Sequence, residues 1–242
     1  ADVGADAAVL GLEVLLELLV RVGGEVGRVA IEALQHPVER GVEQELARRV
    51  LALEVPDDVL VVEASDLKKG KRAWIHEEAG GRRWRLSARS FFQNRPAGVD
   101  ALVDEVSEMV DELGGDGPLV DAYAGIGIFA GTVGADRTVH AIERGRDSVA
   151  DARVTLEGRA GDRPVKIIKT AVERWRPSPA AVVVADPARE GLGKAAVRSL
   201  LRAEPGLFVL VSCDPSSFAR DAKLLTEAGM TLDRLTVVDM FP

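Results

Sequence analysis

The chain of 242 residues holds one cysteine, Cys213, in the run Ser212-Cys213-Asp214-Pro215-Ser216-Ser217. A thiolate is the attacking form of cysteine, and a place just ahead of a predicted helix N-terminus favours it. Ser216 or Ser217 is the expected cap of that helix. A second run, Asp186-Pro187-Ala188-Arg189-Glu190-Gly191, follows an apolar stretch, so its proline ends a strand and leaves Asp186 at a sheet edge. A third, Asp121-Ala122-Tyr123-Ala124-Gly125-Ile126-Gly127-Ile128-Phe129, is a strand entering a glycine pair, where a ligand can approach the backbone closely. It lacks the third glycine that places a pyrophosphate on a helix N-terminus, which favours S-adenosylmethionine over NAD. Glu143 ends the next apolar run, where a carboxylate can accept hydrogen bonds from both ribose hydroxyls of a nucleoside. Each feature has a plainer reading. Lone cysteines are mostly small buried hydrophobes, and Asp-Pro pairs are common in turns. Their shared position at strand ends is what gives them weight.

The elements that must carry these residues follow from periodicity. Leu102, Val103, Val106, Met109, Val110 and Leu113 recur at helical spacing after Ala97, and Gly114-Gly115 ends the run. Strand-like segments then alternate with helical ones: Leu119 to Ala124, Thr138 to Glu143, Val165 to Lys169, Ala181 to Ala185 and Leu207 to Ser212, with helices over 146–157, 194–203 and 217–228. This alternation predicts an α/β fold, a Rossmann-like parallel sheet with helices on both faces and its ligand at the carboxyl ends of the strands. Residues 1–90 differ. Short runs (Val26 to Ile31, Val59 to Glu63, Ala73 to Glu77, Arg83 to Ser87) between glycine turns predict antiparallel strands, with a short helix over Leu46 to Leu53. The expected division is a smaller β-rich accessory domain, 1–90, before a catalytic domain, 91–242.

Composition narrows the function. A chain that is 47% hydrophobic can bury a substantial core, and no apolar run approaches a membrane span. One cysteine and three histidines give no metal-ligand spacing, so no structural metal is expected. The N-terminus lacks a secretory pattern; a cytoplasmic monomer is the expectation. The net charge of −8 argues against indiscriminate nucleic-acid binding. Lys68, Lys69, Lys71, Arg72, Arg82, Arg83, Arg85, Arg89 and Arg95 nevertheless crowd one segment, which makes it a candidate phosphate-contacting patch or, more plainly, a solvated hairpin.

Taken together, Ser90-Phe91-Phe92-Gln93, Asp121 to Phe129, Glu143, Asp186 to Gly193 and Ser212 to Asp221 resemble, in order and spacing, the motifs of the RNA 5-methyluridine (uracil-C5) methyltransferases, class I enzymes that use S-adenosylmethionine. The resemblance covers roughly residues 60–242. It implies that Gln93, Tyr123, Gly125, Glu143 and Asp186 hold the methyl donor, that Cys213 is the nucleophile, and that a uridine of ribosomal or transfer RNA, flipped out of its stack, is the substrate. Arg95 stands where the family's F-x-Q-x-N pattern has Asn, and Ile128 and Ala171 stand where some members have polar donor contacts. The family's proton-abstracting glutamate follows a segment like Met240-Phe241-Pro242, so it is expected beyond residue 242. An N-terminal RNA-binding β-barrel and, in some members, a four-cysteine iron-sulfur cluster are further family features. The rival readings are a cytosine-C5 or exocyclic-amine methyltransferase, an NAD-dependent dehydrogenase, and a non-catalytic RNA-binding fragment. The amine enzymes need no cysteine and carry a second proline and an aromatic where this chain has Ala188 and Arg189.

Overall fold

The computed structural model describes residues 17–19, 28–30, 60–62, 67, 69–70, 72–93, 95–157 and 163–239. The chain divides into two compact units, Ala1–Ile75 and His76–Pro242. In the first, β1 (Glu17–Leu19) pairs antiparallel with β2 (Arg28–Ala30), and β2 pairs parallel with β3 (Leu60–Val62). The parallel pair departs from the antiparallel expectation. A connection from residue 31 to 59 is no hairpin turn, and a link of that length is what parallel strands require. The helix expected over Leu46 to Leu53 lies outside the described residues.

A hairpin follows, β4 (Trp74–Ala79) and β5 (Arg82–Ser87), which lies in the second unit from His76 onward and is turned by Gly80 and Gly81 at φ +57° and +67°. Positive φ at both central positions is the twist that a two-residue hairpin needs. Helix α1 (Pro96–Leu113) starts with proline, whose missing N–H would have had no partner there, and ends at Gly114. It buries Val99, Val103, Val106 and Val110, a stripe spaced by four, three and four residues.

A five-stranded parallel sheet follows: β6 (Leu119–Ala122), β7 (Val139–Glu143), β8 (Val165–Lys169), β9 (Val182–Ala185) and β10 (Leu207–Leu210), in the order β10-β9-β6-β7-β8. The central strands β6 and β9 are buried throughout, so they read as apolar runs rather than alternations. Between them come α2 (Ile128–Gly131), α3 (Arg146–Glu157), a 3-10 turn at Val172–Arg174, α4 (Gly193–Leu201) and, last, α5 (Pro215–Glu227). The chain leaves β6 toward β7 and β8, then returns to build β9 and β10 on its other side. That reversal at β6 and β9 opens the crevice in which such sheets bind ligands. No helix among the described residues is long and apolar enough to cross a membrane.

Candidate active site

Because the strands are parallel, the segments leaving β6, β7, β9 and β10 emerge at one edge. Ala122 and Ala185 pair across β6 and β9, and the Asp186 N–H donates to the Ala122 carbonyl at 3.3 Å, so Tyr123 and Asp186 leave the sheet side by side. One strand further, the Val211 N–H donates to the Ala185 carbonyl at 2.9 Å, which delivers exposed Cys213 beyond β10 at the same edge. Glu143 closes the other side. Its carboxylate accepts the Gly125 N–H at 2.9 Å and the Gly145 N–H at 2.5 Å, fastening the glycine turn to the end of β7.

The two glycines of the turn do different work. Gly125 has φ +55°, and a Cβ there would meet only the Tyr123 carbonyl at 4.0 Å, so its face is open to a ligand. Gly127 is closed: a Cβ would lie 2.8 Å from Leu156 Cδ1 and 3.6 Å from Ala152 Cβ, so its absence lets α3 pack on the turn. Tyr123 carries φ +62°, a left-handed conformation unusual for a bulky side chain. Burial, with Glu173 and Asp221 nearby, pushes its ionisation up to about 12, so it stays a neutral donor.

Asp186 makes no side-chain hydrogen bond or ion pair among the described residues, and desolvation pushes its carboxyl up to about 6. Behind it, Asp121 is raised to about 7, first by burial and then by the charges of Asp186 and Glu143, against the lowering effect of the Ala130 N–H that it accepts at 2.8 Å. Carboxylates thus converge on the crevice floor, an arrangement suited to a cationic ligand.

The Cys213 loop corrects one expectation. The cap of α5 is Asp214, not Ser216 or Ser217: its carboxylate accepts the Ser217 N–H at 2.8 Å. Pro215 at the first helical position explains the shift, since it fits that place and moves the cap to the residue before it. The Ser217 bond holds the Asp214 carboxyl below its usual range. Gln93 follows β5, and no hydrogen bond joins it to the other candidates among the described residues.

Sequence reading passed over what braces these loops. Three fully buried aspartates each stand behind one of them. Asp121 bonds α2 below the glycine turn. Asp151, on α3, accepts the Ser87 N–H and Oγ at 2.7 Å each and the Ser90 Oγ at 2.5 Å, and pairs with Arg85 Nε at 3.0 Å, which anchors the segment leading to Gln93. Asp221, on α5, accepts the Leu192 N–H at 2.6 Å and the Gly193 N–H at 3.1 Å, holding the loop that begins at Asp186. A signal existed for Asp221: it lies four residues from buried Ser217 and buried Leu225, a charge on the inward stripe of its helix. Arg82 and Arg85 also leave the basic patch. Arg82 donates to the Gly131 carbonyl at 3.1 Å and stacks 5.7 Å from the Trp84 ring, and Arg85 serves Asp151. Arg83, Arg89 and Arg95 remain exposed, while Lys68 and Lys71 lie outside the described residues. No group of three or more His, Cys, Asp or Glu suited to a metal occurs among the described residues.

No family model matches the chain. It is 34% identical over 205 residues to an uncharacterized RNA methyltransferase of Streptomyces avermitilis, covering 80% of this chain and 46% of that protein. It is 35% identical over 179 residues to another from Lactobacillus johnsonii, covering 71% and 38%. The chain therefore spans less than half the length of these curated relatives. Among solved structures, the Pyrococcus abyssi tRNA (uracil-54, C5)-methyltransferase, in complex with S-adenosyl-L-homocysteine, is similar with TM-score 0.61 and 28% identity over 70% of this chain and 41% of that one. The M. jannaschii tRNA m1G37 methyltransferase shares the fold at TM-score 0.50 and 15% identity, over 89% of this chain and 65% of that one. The chain is thus a partial-length homologue of proteins named RNA methyltransferases, and it carries the Rossmann-like class I methyltransferase fold.

Proposed function

We propose that this chain is the catalytic part of an S-adenosylmethionine-dependent RNA (uracil-5-)-methyltransferase that works through a covalent bond from Cys213 to uracil C6. The observation that carries it is the delivery of a nucleophile, Cys213, and an unpartnered carboxylate, Asp186, to one sheet edge beside an open glycine turn. The donor fits what is there. Gly125 leaves room for it, each Glu143 oxygen keeps a lone pair for a ribose hydroxyl after its backbone bond, and Asp186 leaves the same sheet edge with no ion pair among the described residues. When bound, the donor supplies an electrophilic methyl group on a sulfonium. Gln93, Tyr123, Gly125, Glu143 and Asp186 are the residues assigned to hold it, with Asp186 on the donor side.

Uracil C5 is a weak nucleophile. Addition of the Cys213 thiolate forms the S–C6 bond and moves the ring electrons onto C5 and O4, after which C5 can take the methyl group. Removal of the C5 proton by a base then returns electrons to the C5–C6 bond and expels the thiolate. The thiolate attacks from above the ring plane, so the uracil must be unstacked, as in RNA loops or on flipping. Ribosomal or transfer RNA in the cytoplasm is the proposed substrate. Within the proposal, residues 91–242 are the catalytic domain and residues 1–90 the accessory part, its hairpin strand β5 carried on the catalytic unit.

The test uses the intact protein, S-adenosylmethionine and RNA carrying 5-fluorouracil. Fluorine cannot leave as a proton, so the methylated adduct persists as a protein–RNA band that survives denaturation. Its loss in Cys213→Ala establishes nucleophile and reaction together. Methyl transfer to ordinary RNA with no trapped band would sink the covalent reading.

A further inference from the structure

Asp221 and Arg220 form a clamp whose place in the fold goes beyond stability. Asp221 is 1% exposed, yet its two oxygens take the backbone N–H groups of Leu192 and Gly193, which belong to the loop begun by Asp186. Arg220 meets the same carboxylate through Nε at 3.1 Å and Nη2 at 3.2 Å, and Nη2 also donates to the Glu190 carbonyl at 2.5 Å. Between them lies Gly191, at φ +77°, where a Cβ would overlap Asp221 Oδ2 and Arg220 Nη2 and sit 3.1 Å from Ser217 Cβ. Ser217 is the residue whose N–H Asp214 caps. The loop after Asp186 is therefore bonded, within two helical turns, to the helix that directly follows Cys213.

We infer that Asp221, oriented by Arg220, is a positioning residue that fixes the spacing between the Cys213 thiolate and the Asp186 loop, so that nucleophile and donor-side carboxylate approach one base from set positions. This rests on the covalent reading above. A bonding scheme that spends a buried carboxylate on the backbone of one loop makes two site segments move as one body. Loosening it displaces the reacting atoms relative to each other while leaving each segment's own residues intact. Misplacement on the order of 1 Å costs about 100-fold in rate.

The experiment compares Asp221→Asn, Gly191→Ala and Leu225→Ala in the intact protein. It measures donor affinity by calorimetry, melting temperature, and the rate of adduct formation on 5-fluorouracil RNA at saturating donor and RNA. Asn keeps the shape but faces one backbone N–H with its own amide donor; Gly191→Ala attacks the clamp from the loop side. Both are expected to slow adduct formation by roughly 10- to 100-fold while changing donor affinity by less than about 3-fold. Leu225→Ala, which removes core packing on the same helix but spares the clamp, lowers the melting temperature and leaves the adduct rate unchanged below it. Adduct formation at the wild-type rate in both clamp variants overturns the inference. So does slowing in Leu225→Ala as large as in Asp221→Asn, since the clamp would then act only through stability. A wild-type protein that methylates RNA but forms no adduct refutes the covalent reading first, and the positioning role falls with it. Should Asp221→Asn fail to fold, Gly191→Ala and Arg220→Lys decide by the same comparison.

Discussion

Asp186 is a carboxylate that the fold largely removes from water and that has no side-chain partner among the described residues, so its ionisation, raised to about 6, can respond to what binds. A cationic donor favours the ionised form. The sign follows: above about pH 6 the free protein already presents the carboxylate, and below it a proton must leave before the donor binds well. Donor affinity is expected to rise with pH through about 6 and then level off, and Asp186→Asn to bind more weakly with that step removed. Calorimetry of S-adenosylmethionine binding between pH 5 and 8 checks this; a step of equal size in the variant assigns the titration to another group, with Asp121 at about 7 the first candidate. Affinity left unchanged in Asp186→Asn moves Asp186 to the uracil side. Glu143 differs in kind, because its two backbone bonds already hold its carboxylate in place before any ligand arrives.

The elements show why some of the molecule was legible in sequence. The second unit's strands and helices follow their periodicity, with α3 over Arg146–Glu157 and β8 over Val165–Lys169 matching the expected ranges, because one apolar stripe per helix and apolar central strands leave few alternatives. That Cys213, Asp186 and Gly125 come out at one edge was legible because strand ends in a parallel sheet share it. The braces were not. Asp151 and Asp221 act through partners 64 and 29 residues away, and nothing local announces a bond of that span. Nor could spacing tell Arg82 and Arg85, which serve the interior, from Arg83, which faces water, since a strand's alternation depends on what covers each face. The hairpin tests the brace directly. Asp151→Ala removes the buried acceptor that Arg85, Ser87 and Ser90 share, which costs about 2 to 4 kcal/mol. A urea melt is expected to register that loss, and donor affinity to fall with it if the Ser90–Gln93 segment touches the donor. Full donor affinity in a destabilised Asp151→Ala would detach Gln93 from the donor site.

At the scale of the molecule, the charge of −8 has to be reconciled with the proposed RNA substrate. Charge is segregated along the second unit. Helix α1 presents Asp104, Glu108, Asp111 and Glu112 outward, with Arg234 bridging Glu108 at 3.2 Å and Glu112 at 2.6 Å, while Arg83, Arg89 and Arg95 are exposed on the stretch that holds Gln93. Such a division repels a polyanion from one surface and admits it at another, which orients approach as well as strengthening it. The exposed pairs on α1 themselves contribute little stability, about 0 to 1 kcal/mol each. If the three exposed arginines neutralise phosphates, removing any one of them lowers the slope of log affinity against log salt by roughly 0.7 for single-stranded RNA. Reversing Arg83, Arg89 and Arg95 to Glu is expected to weaken RNA binding, flatten that slope and leave donor affinity intact. Arg82→Glu serves as the contrast: it breaks bonds to the Gly131 and Thr155 carbonyls and is expected to lower the melting temperature first. A triple reversal that leaves both RNA affinity and salt slope unchanged would place the phosphate-binding surface elsewhere on the protein and leave this stretch as a solvated hairpin.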